Sequence, residues 1–164
     1  MIELPTLILT IILACLIVAS AYFSSSETAM MSLNRYRLKH LSDRKYKGAQ
    51  RVQNLLARPD RLIGLILLGN NFVNILAAMI VTILAERYLG MHGLLISSLM
   101  LTAIILVFAE VIPKTVAAIY PERVAFPSSV LLRILMFIFY PLVWVLNKIS
   151  NGILAIFGLT NIKR

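Results

Sequence analysis

The sequence predicts an all-α integral membrane protein with three transmembrane helices, short cytosolic amphipathic helices and a bent juxtamembrane helix that forms a belt. The 164 residues are 60% hydrophobic and only 14% charged, with a mean hydropathy of +0.88. That composition is too apolar for a soluble domain. Three long runs also contain no Asp, Glu, Lys or Arg, and each exceeds the roughly 20 residues that a helix needs to cross a bilayer. We interpret residues 1–164 as a single transmembrane domain.

The three predicted spans cover about residues 4–24, 62–85 and 88–112. Charged residues bound the apolar runs, and only the titratable His92 interrupts the third run before Glu110. The first run is too long for the core of a signal peptide and has no basic residue ahead of it, so we expect it to be retained as a transmembrane helix.

The basic residues predict the topology. Nine of the sixteen Lys and Arg residues fall in the loop between the first two spans, which is typical of a cytoplasmic loop rather than of a nucleic-acid-binding surface. We therefore expect a multi-pass protein of a bacterial-type inner (plasma) membrane, with its amino terminus outside, its carboxyl terminus in the cytoplasm and no nucleic-acid partner. The single cysteine, Cys15, cannot build a disulfide framework within one chain.

The cytoplasmic loop carries an amphipathic pattern over about residues 27–58. Apolar and basic residues recur at helical spacing from Thr28 to Leu41, and Gly48 is expected to end that helix. A second short helix is predicted from Ala49 to Ala57, before Pro59. The basic face of these helices would contact anionic lipid headgroups.

The last apolar stretch, at about residues 124–158, allows two interpretations. It is interrupted at four positions: Pro127, Arg133, Pro141 and Lys148. The apolar block between the two charged positions has about 14 residues, which is shorter than a spanning helix needs. We expect a bent helix at the cytoplasmic interface rather than a fourth span.

Three amides lie within the second span. Asn70 and Asn74 are four residues apart and share one helical face, Asn71 lies beside them, and Gly69 allows a close helix approach. A single asparagine at this depth commonly forms an interhelical hydrogen bond, whereas three together favour an ion or substrate site.

A carboxylate and a proline end the third span. Pro113 cannot donate a hydrogen bond to the carbonyl of Ala109, so a freed carbonyl is expected near the carboxylate of Glu110. Transporters expose main-chain oxygens to cations at such helix breaks. The alternative is a Glu110 at the membrane edge that pairs with Lys114.

Hydroxyl groups are concentrated at the inner end of the first span, in the run Ser24-Ser25-Ser26-Glu27-Thr28. Ser25 or Ser26 could cap the following amphipathic helix, with Glu27 in its first turn. Capping does not account for Ser20 and Ser24, which are four residues apart on one face of the first helix.

These polar groups supply carboxylate, amide, hydroxyl and carbonyl oxygens, which suit hard cations such as Mg²⁺ better than zinc or copper. The sequence has no G-x-S-x-G or H-E-x-x-H motif, and we predict that the chain is not an enzyme. Two functions remain: a cation transporter, or a membrane anchor or scaffold that positions cytosolic modules and moves no ion itself.

Three motifs resemble the transmembrane domain of the CNNM/CorC magnesium transporters. They are YFSSSETAMMSLNRYRLKHL (Tyr22–Leu41), PDRLIGLILLGNNFVN (Pro59–Asn74) and FAEVIPKTVAAIYPERVA (Phe108–Ala125). The resemblance covers essentially the whole chain. It implies a homodimer in the lipid bilayer, three spans in each subunit, and magnesium export that is proposed to be coupled to sodium entry. Mg²⁺, with Na⁺ as a second ion, would then be transported rather than held as a cofactor.

The resemblance also implies a ligand set. The first candidates are Ser24, the backbone around Gly69, Asn70, Asn74 and Glu110, followed by Ser26 and Asn71, with Pro113 as the helix break. The chain departs from the pattern where Ser25 replaces the usual Gly of bacterial relatives. Full-length members continue into a cytosolic pair of CBS modules, which would be a partner of this domain.

Overall fold

The computed structural model describes residues 5–90 and 92–158. Within those residues every regular element is helical, which confirms the predicted all-α class. The helices are α1 (Thr6–Ser32), α2 (Arg35–Asp43), α3 (Lys47–Leu56), α4 (Pro59–Leu89), α5 (Gly93–Ile104), a π-helical segment (Ile105–Val111), α6 (Ile112–Ile119) and α7 (Pro121–Ile156). The start of the first predicted span and both chain termini, whose sides of the membrane the sequence predicts, lie outside the described residues.

Within the described residues, four helical stretches, not three, are long and apolar enough to cross a membrane: Thr6–Ser32, Pro59–Tyr88, Gly93–Ile119 and Pro121–Ile156. The fourth corrects the expectation that the last apolar stretch is too interrupted to qualify. Pro127 and Pro141 lie inside α7, yet the helix continues through both. A proline removes one main-chain hydrogen bond, and the bonds on either side of it are sufficient to hold the long apolar helix.

The end of α1 also differs from the prediction. The helix runs to Ser32 and ends where Leu33 becomes extended, instead of ending near residue 24. Neither Ser25 nor Ser26 caps a new helix, because both hydroxyl groups donate to the carbonyl oxygen of Tyr22 within α1. The cap of α2 is Asn34, whose side-chain oxygen accepts from the main-chain N–H groups of residues 36 and 37.

Gly48 does not end a helix, contrary to the prediction. It lies inside α3, and the chain turns before it at Lys45, which has a φ of 63°. A Cβ at Gly48 would stand 3.0 Å from the Cβ of Phe126, so the glycine permits close packing of α3 on α7. Gly48, which was predicted to break a helix, instead lies at a contact between α3 and α7.

The chain forms two compact units, the first comprising Met1–Leu33 with Gly69–Ala125 and the second Asn34–Leu68 with Phe126–Arg164. In the first unit, α1 packs along the π-helical segment and α6. The packed surfaces carry small residues, since Ser20, Ser24, Ala109 and Ala117 are buried. Small side chains let helix backbones approach closely in a membrane.

In the second unit, α7 lies against α3 and the first turns of α4. The Arg51 side chain donates through Nε to the hydroxyl of Ser129 at 3.1 Å. Further along, the guanidinium of Arg61 lies 4.9 Å from the ring centre of Tyr140. Polar and cation–π contacts thus join the basic loop to α7.

Large apolar side chains are exposed on the long helices, among them Phe72, Ile75, Leu95 and Phe137. A soluble protein rarely leaves so much contiguous apolar surface in water. These faces are suited to lipid tails or to another transmembrane helix, as expected for a membrane protein.

Gly69 gives a direct test of the packing in the first unit. A Cβ at this position would overlap the ring of Phe23 on α1. We expect Gly69→Ala to force the ring aside and to destabilise the protein by about 1–3 kcal/mol, the usual range for overpacking a well-packed site. Thermal unfolding in detergent, followed by helical circular dichroism, measures the change.

Gly152→Ala is the matched control, because, apart from its chain neighbours and the surrounding helix backbone, no atom lies within 4 Å of a Cβ built at Gly152 in α7. The same substitution there should stabilise the helix by about 1 kcal/mol or less. Equal melting temperatures for Gly69→Ala and the parent would contradict the close approach of α4 to α1.

Candidate functional site

Ser20, Asn70 and Asn74 form a polar cluster that we call the amide layer. The Ser20 hydroxyl lies 3.0 Å from Oδ1 of Asn70 and 2.8 Å from Oδ1 of Asn74. Ser20 is almost fully buried, with 1% of its surface exposed. A hydroxyl group carries one proton, so Ser20 can donate to only one of the two amide oxygens at a time. The other oxygen is then available to a different donor or to a cation.

Ser24, Glu110 and Lys114 form a second cluster, the carboxylate layer. The Ser24 hydroxyl donates to Oε1 of Glu110 at 3.1 Å, and Nζ of Lys114 lies 3.2 Å from Oε2. Ser24 is as buried as Ser20, while the Glu110 side chain is 24% exposed. Both carboxylate oxygens therefore have a partner, and the carboxylate remains partly accessible at the surface of the helix packing.

Helical spacing places the two layers next to each other. Ser20 and Ser24 are one turn apart on α1, which separates their backbones by about 6 Å along the helix axis. Asn70 and Asn74 have the same four-residue spacing on α4, so both amides reach Ser20. The buried face of α1 connects the amides of α4 with the carboxylate of the third apolar helix.

Glu110 lies in the π-helical segment, directly before the turn that contains Pro113. At the end of the segment, the N–H of Ile112 donates to the carbonyl of Val107, five residues earlier. Pro113 is in the first turn of α6 and has no N–H to donate. One carbonyl of the preceding turn, at Phe108 or Ala109, therefore lacks its usual main-chain donor. Such π-helical turns are frequent at functional sites.

The other predicted ligands lie apart from these layers. Ser26 is fully buried, and its hydroxyl donates to the Tyr22 carbonyl at 2.6 Å. The Asn71 side chain is exposed, whereas those of Asn70 and Asn74 are partly buried. Gly69 lacks a side chain and so allows the Phe23 ring to pack closely against α4. The structure thus brings together Ser24 with Glu110, and Asn70 with Asn74, and leaves out Ser26 and Asn71.

Ser20 is absent from the set of ligands predicted from the sequence, yet it joins the two amides of the amide layer. The signal was present in the sequence, because Ser20 shares a helical face with Ser24 and this pair is not explained by capping. A lone serine in a transmembrane helix usually bonds back to its own backbone. Ser20 donates to another helix instead.

Chemically, the two layers offer hydroxyl, amide and carboxylate oxygens, with one formal negative charge at Glu110. Within residues 5–90 and 92–158, no three His, Cys, Asp or Glu side chains group closely enough to hold a metal. Neutral oxygens around a single carboxylate suit a hard cation that is bound weakly enough to leave again.

Comparison with known proteins agrees with this membrane architecture. Residues 11–164 match the family described as Cyclin M transmembrane N-terminal domain, CNNM. The chain is 54% identical over 140 residues to the UPF0053 inner membrane protein YfjD of Escherichia coli, covering 85% of this chain and 33% of that protein. It is 47% identical over 157 residues to a UPF0053 protein of Haemophilus influenzae, covering 96% and 37%.

A more distant relative is named for an activity. The polyamine export protein of Escherichia coli is 29% identical over 167 residues, which cover 94% of this chain and 37% of that protein. The chain spans about a third of the length of the curated relatives it matches. On the match over residues 11–164, and on its identity with the UPF0053 proteins, this chain belongs to the CNNM transmembrane-domain family of multi-pass membrane proteins.

Proposed function

We propose that this chain is the membrane domain of a magnesium transporter, and that Mg²⁺ binds between the amide layer and the carboxylate layer. The observation that carries the proposal is the convergence of five side chains from three apolar helices: Ser20, Ser24, Asn70, Asn74 and Glu110. A protein that only anchors cytosolic modules has no need of these oxygens at membrane depth, where polar groups are costly.

The charge of the site supports a cation as the substrate. A divalent ion that leaves water needs at least one countercharge, because neutral oxygens alone compensate poorly for its lost hydration. Glu110 supplies that charge, and the carbonyl freed by Pro113 lies on the same turn. We propose export from the cytoplasm coupled to sodium entry, in a homodimer, as the CNNM/CorC resemblance implies.

Polyamines are the second candidate substrate. Relatives named polyamine export protein share the fold family, and the Glu110 carboxylate already binds a primary alkylammonium group, that of Lys114. A polyamine ends in the same chemical group. Mg²⁺ is favoured because the hydroxyl and amide oxygens next to Glu110 are ligands that a compact hard cation can coordinate together with the carboxylate.

We also propose that α7 lies along the cytoplasmic interface and does not cross the membrane. Phe126 packs on Gly48 in the cytosolic helix α3. Tyr140 lies about 21 Å further along α7, and its ring contacts Arg61, which is in the first turn of α4. A helix that crossed from the cytoplasmic side would by then be deep in the bilayer. In addition, Lys148 lies 4.6 Å from the ring centre of Trp144, an arrangement suited to the headgroup region.

The first test concerns the charge of the proposed site. Mg²⁺ at about 100 times its Kd should stabilise the folded parent protein by about 2.7 kcal/mol. We expect Glu110→Gln to abolish this protection and Mg²⁺ flux into liposomes, while helical content and oligomeric state are retained. Melting temperature with and without Mg²⁺ gives the readout, and flux is measured with and without a sodium gradient.

Two controls match this experiment. Glu27→Gln removes a carboxylate from α1 outside both layers, and Asn71→Ala removes an exposed amide next to Asn70. Both should leave Mg²⁺ protection near the parental value, whereas Asn70→Ala and Asn74→Ala should weaken it. A folded Glu110→Gln protein that still binds and transports Mg²⁺ like the parent would refute the site.

A second measurement separates the two substrates. The parent protein is heated with equal concentrations of Mg²⁺ or spermidine, and the shift in melting temperature is compared. We expect the larger shift in melting temperature with Mg²⁺, because Mg²⁺ coordinates several oxygen ligands at short distances and hydroxyl and amide groups supply such oxygens. A larger shift with spermidine that Glu110→Gln removes would assign the site to polyamines instead.

The position of α7 can be tested by labelling single cysteines in a Cys15→Ala background. The sites are Lys47→Cys in α3, Ser150→Cys near the end of α7, and His92→Cys between α4 and α5. In oriented vesicles, a membrane-impermeant maleimide should label Lys47→Cys and Ser150→Cys from the same face and His92→Cys from the other. Labelling of Ser150→Cys with His92→Cys would establish a fourth crossing.

A further inference from the structure

The ion pair between Glu110 and Lys114 occupies the only carboxylate of the proposed site. Nζ of Lys114 lies 3.2 Å from Oε2 of Glu110, and Ser24 donates to Oε1. The pair is set by sequence, since the two residues are four apart with the carboxylate nearer the amino terminus, the favourable order on a helix. The carboxylate layer therefore carries no net charge. A cation that enters finds the Glu110 carboxylate already paired with Lys114.

We propose that Lys114 is a tethered competitor of the transported cation: its ammonium group occupies Glu110 when the site holds no substrate, and substrate binding displaces it. This inference rests on the proposed function, because it assigns a role at that same site. Lys114 sets the affinity of Glu110 for cations without being a ligand of the ion.

Electrostatics requires the displacement. An ammonium group that stayed at hydrogen-bond distance from Glu110 would face the arriving divalent ion across one carboxylate, and like charges at that separation repel strongly in a partly buried site. With Lys114 displaced, the two positive charges of the ion face one negative charge and the neutral oxygens. The site can then be occupied.

The geometry allows the displacement without a change in the helices. The Lys114 side chain is 46% exposed, compared with 24% for Glu110. A lysine side chain has a flexible four-carbon stem, so rotation about its side-chain bonds can carry the ammonium group away from Glu110 and towards the membrane interface. When Lys114 returns to Glu110, it removes the countercharge that holds the substrate and thereby favours release.

Substitution of Lys114 tests the competition. We expect Lys114→Met to lower the Kd for Mg²⁺ by roughly twofold to fivefold, the range for loss of a partly exposed ion pair. Lys114→Arg keeps a competing cation and should bind Mg²⁺ like the parent. Arg123→Met removes an exposed positive charge from the same unit, where Arg123 contacts the Tyr120 ring, and should leave the Kd unchanged. Binding is measured by titration calorimetry of the detergent-purified chain.

Amine reactivity tests the same idea in the unmutated protein. Acetylation of Lys114 by a water-soluble ester, quantified by peptide mass spectrometry, should become several times faster when Mg²⁺ is added. Lys39, exposed on α2, serves as the internal reference for reagent activity. In Glu110→Gln, Lys114 should react fast with or without Mg²⁺.

The outcomes are distinguishable. If the parent binds Mg²⁺ while Lys114→Met binds it no more tightly, the competition is refuted and the proposed function stands. The same holds if Arg123→Met tightens binding as much as Lys114→Met, or if Mg²⁺ that protects the parent from heat leaves the acetylation rate of Lys114 unchanged. If neither the parent nor Lys114→Met binds Mg²⁺, the magnesium function itself fails, and the inference fails with it.

Discussion

The structure of the first unit depends on one constraint: hydroxyl groups buried on an apolar helix must find partners on other helices. Ser20 and Ser24 are each 1% exposed, in a helix whose residues 11–19 are all apolar. In lipid there is no water to satisfy them, so a buried hydroxyl without a partner is unfavourable. The amides of α4 and the carboxylate of Glu110 meet this need. The same hydrogen bonds that hold the helices together therefore assemble the oxygen atoms of the site.

Close approach of the helices is the second requirement, and small residues provide it. The hydrogen bonds between Ser20 and α4 need the two backbones near each other at the level of Asn70, and Gly69 removes the side chain that would overlap Phe23 there. Ala109 and Ala117 are completely buried on the third apolar helix, where α1 packs. Without a strong hydrophobic driving force between helices in lipid, such packing together with a few hydrogen bonds sets the helix positions.

Much of this architecture could be predicted from the sequence, because a helix that is surrounded by lipid must consist mainly of apolar residues. The all-helical class, the apolar helices and the grouping of Asn70 with Asn74 all follow from uncharged runs and four-residue spacing. The extent of α1 could not be predicted. The run Ser24 to Thr28 has the composition of a cap, but in α1 the hydroxyls of Ser25 and Ser26 bond to the Tyr22 carbonyl, so the helix continues past them. Local propensity allowed both states, and tertiary packing favours the longer helix.

The fourth apolar helix shows a different limit of sequence reasoning. Prolines and charges predicted an interrupted segment, yet the helix is continuous from Pro121 to Ile156. A charge within an apolar helix ends it only when nothing nearby compensates. Here Lys148 lies over an aromatic ring, and the basic loop contacts the same helix through Arg51 and Arg61. Continuity of a helix and its crossing of a membrane are therefore separate questions.

In the proposed site, a single carboxylate lies within a set of neutral oxygens, and this arrangement bears on selectivity among cations. The negative charge attracts any cation, whether a metal ion or an alkylammonium group such as that of Lys114. Discrimination must then come from the neutral oxygens, because only a compact ion gains from hydroxyl and amide groups that converge on one point. In this chain those groups lie one helical turn from Glu110, in the amide layer of Ser20, Asn70 and Asn74. The substrate preference of relatives should accordingly follow differences in the amide layer more closely than differences at the carboxylate.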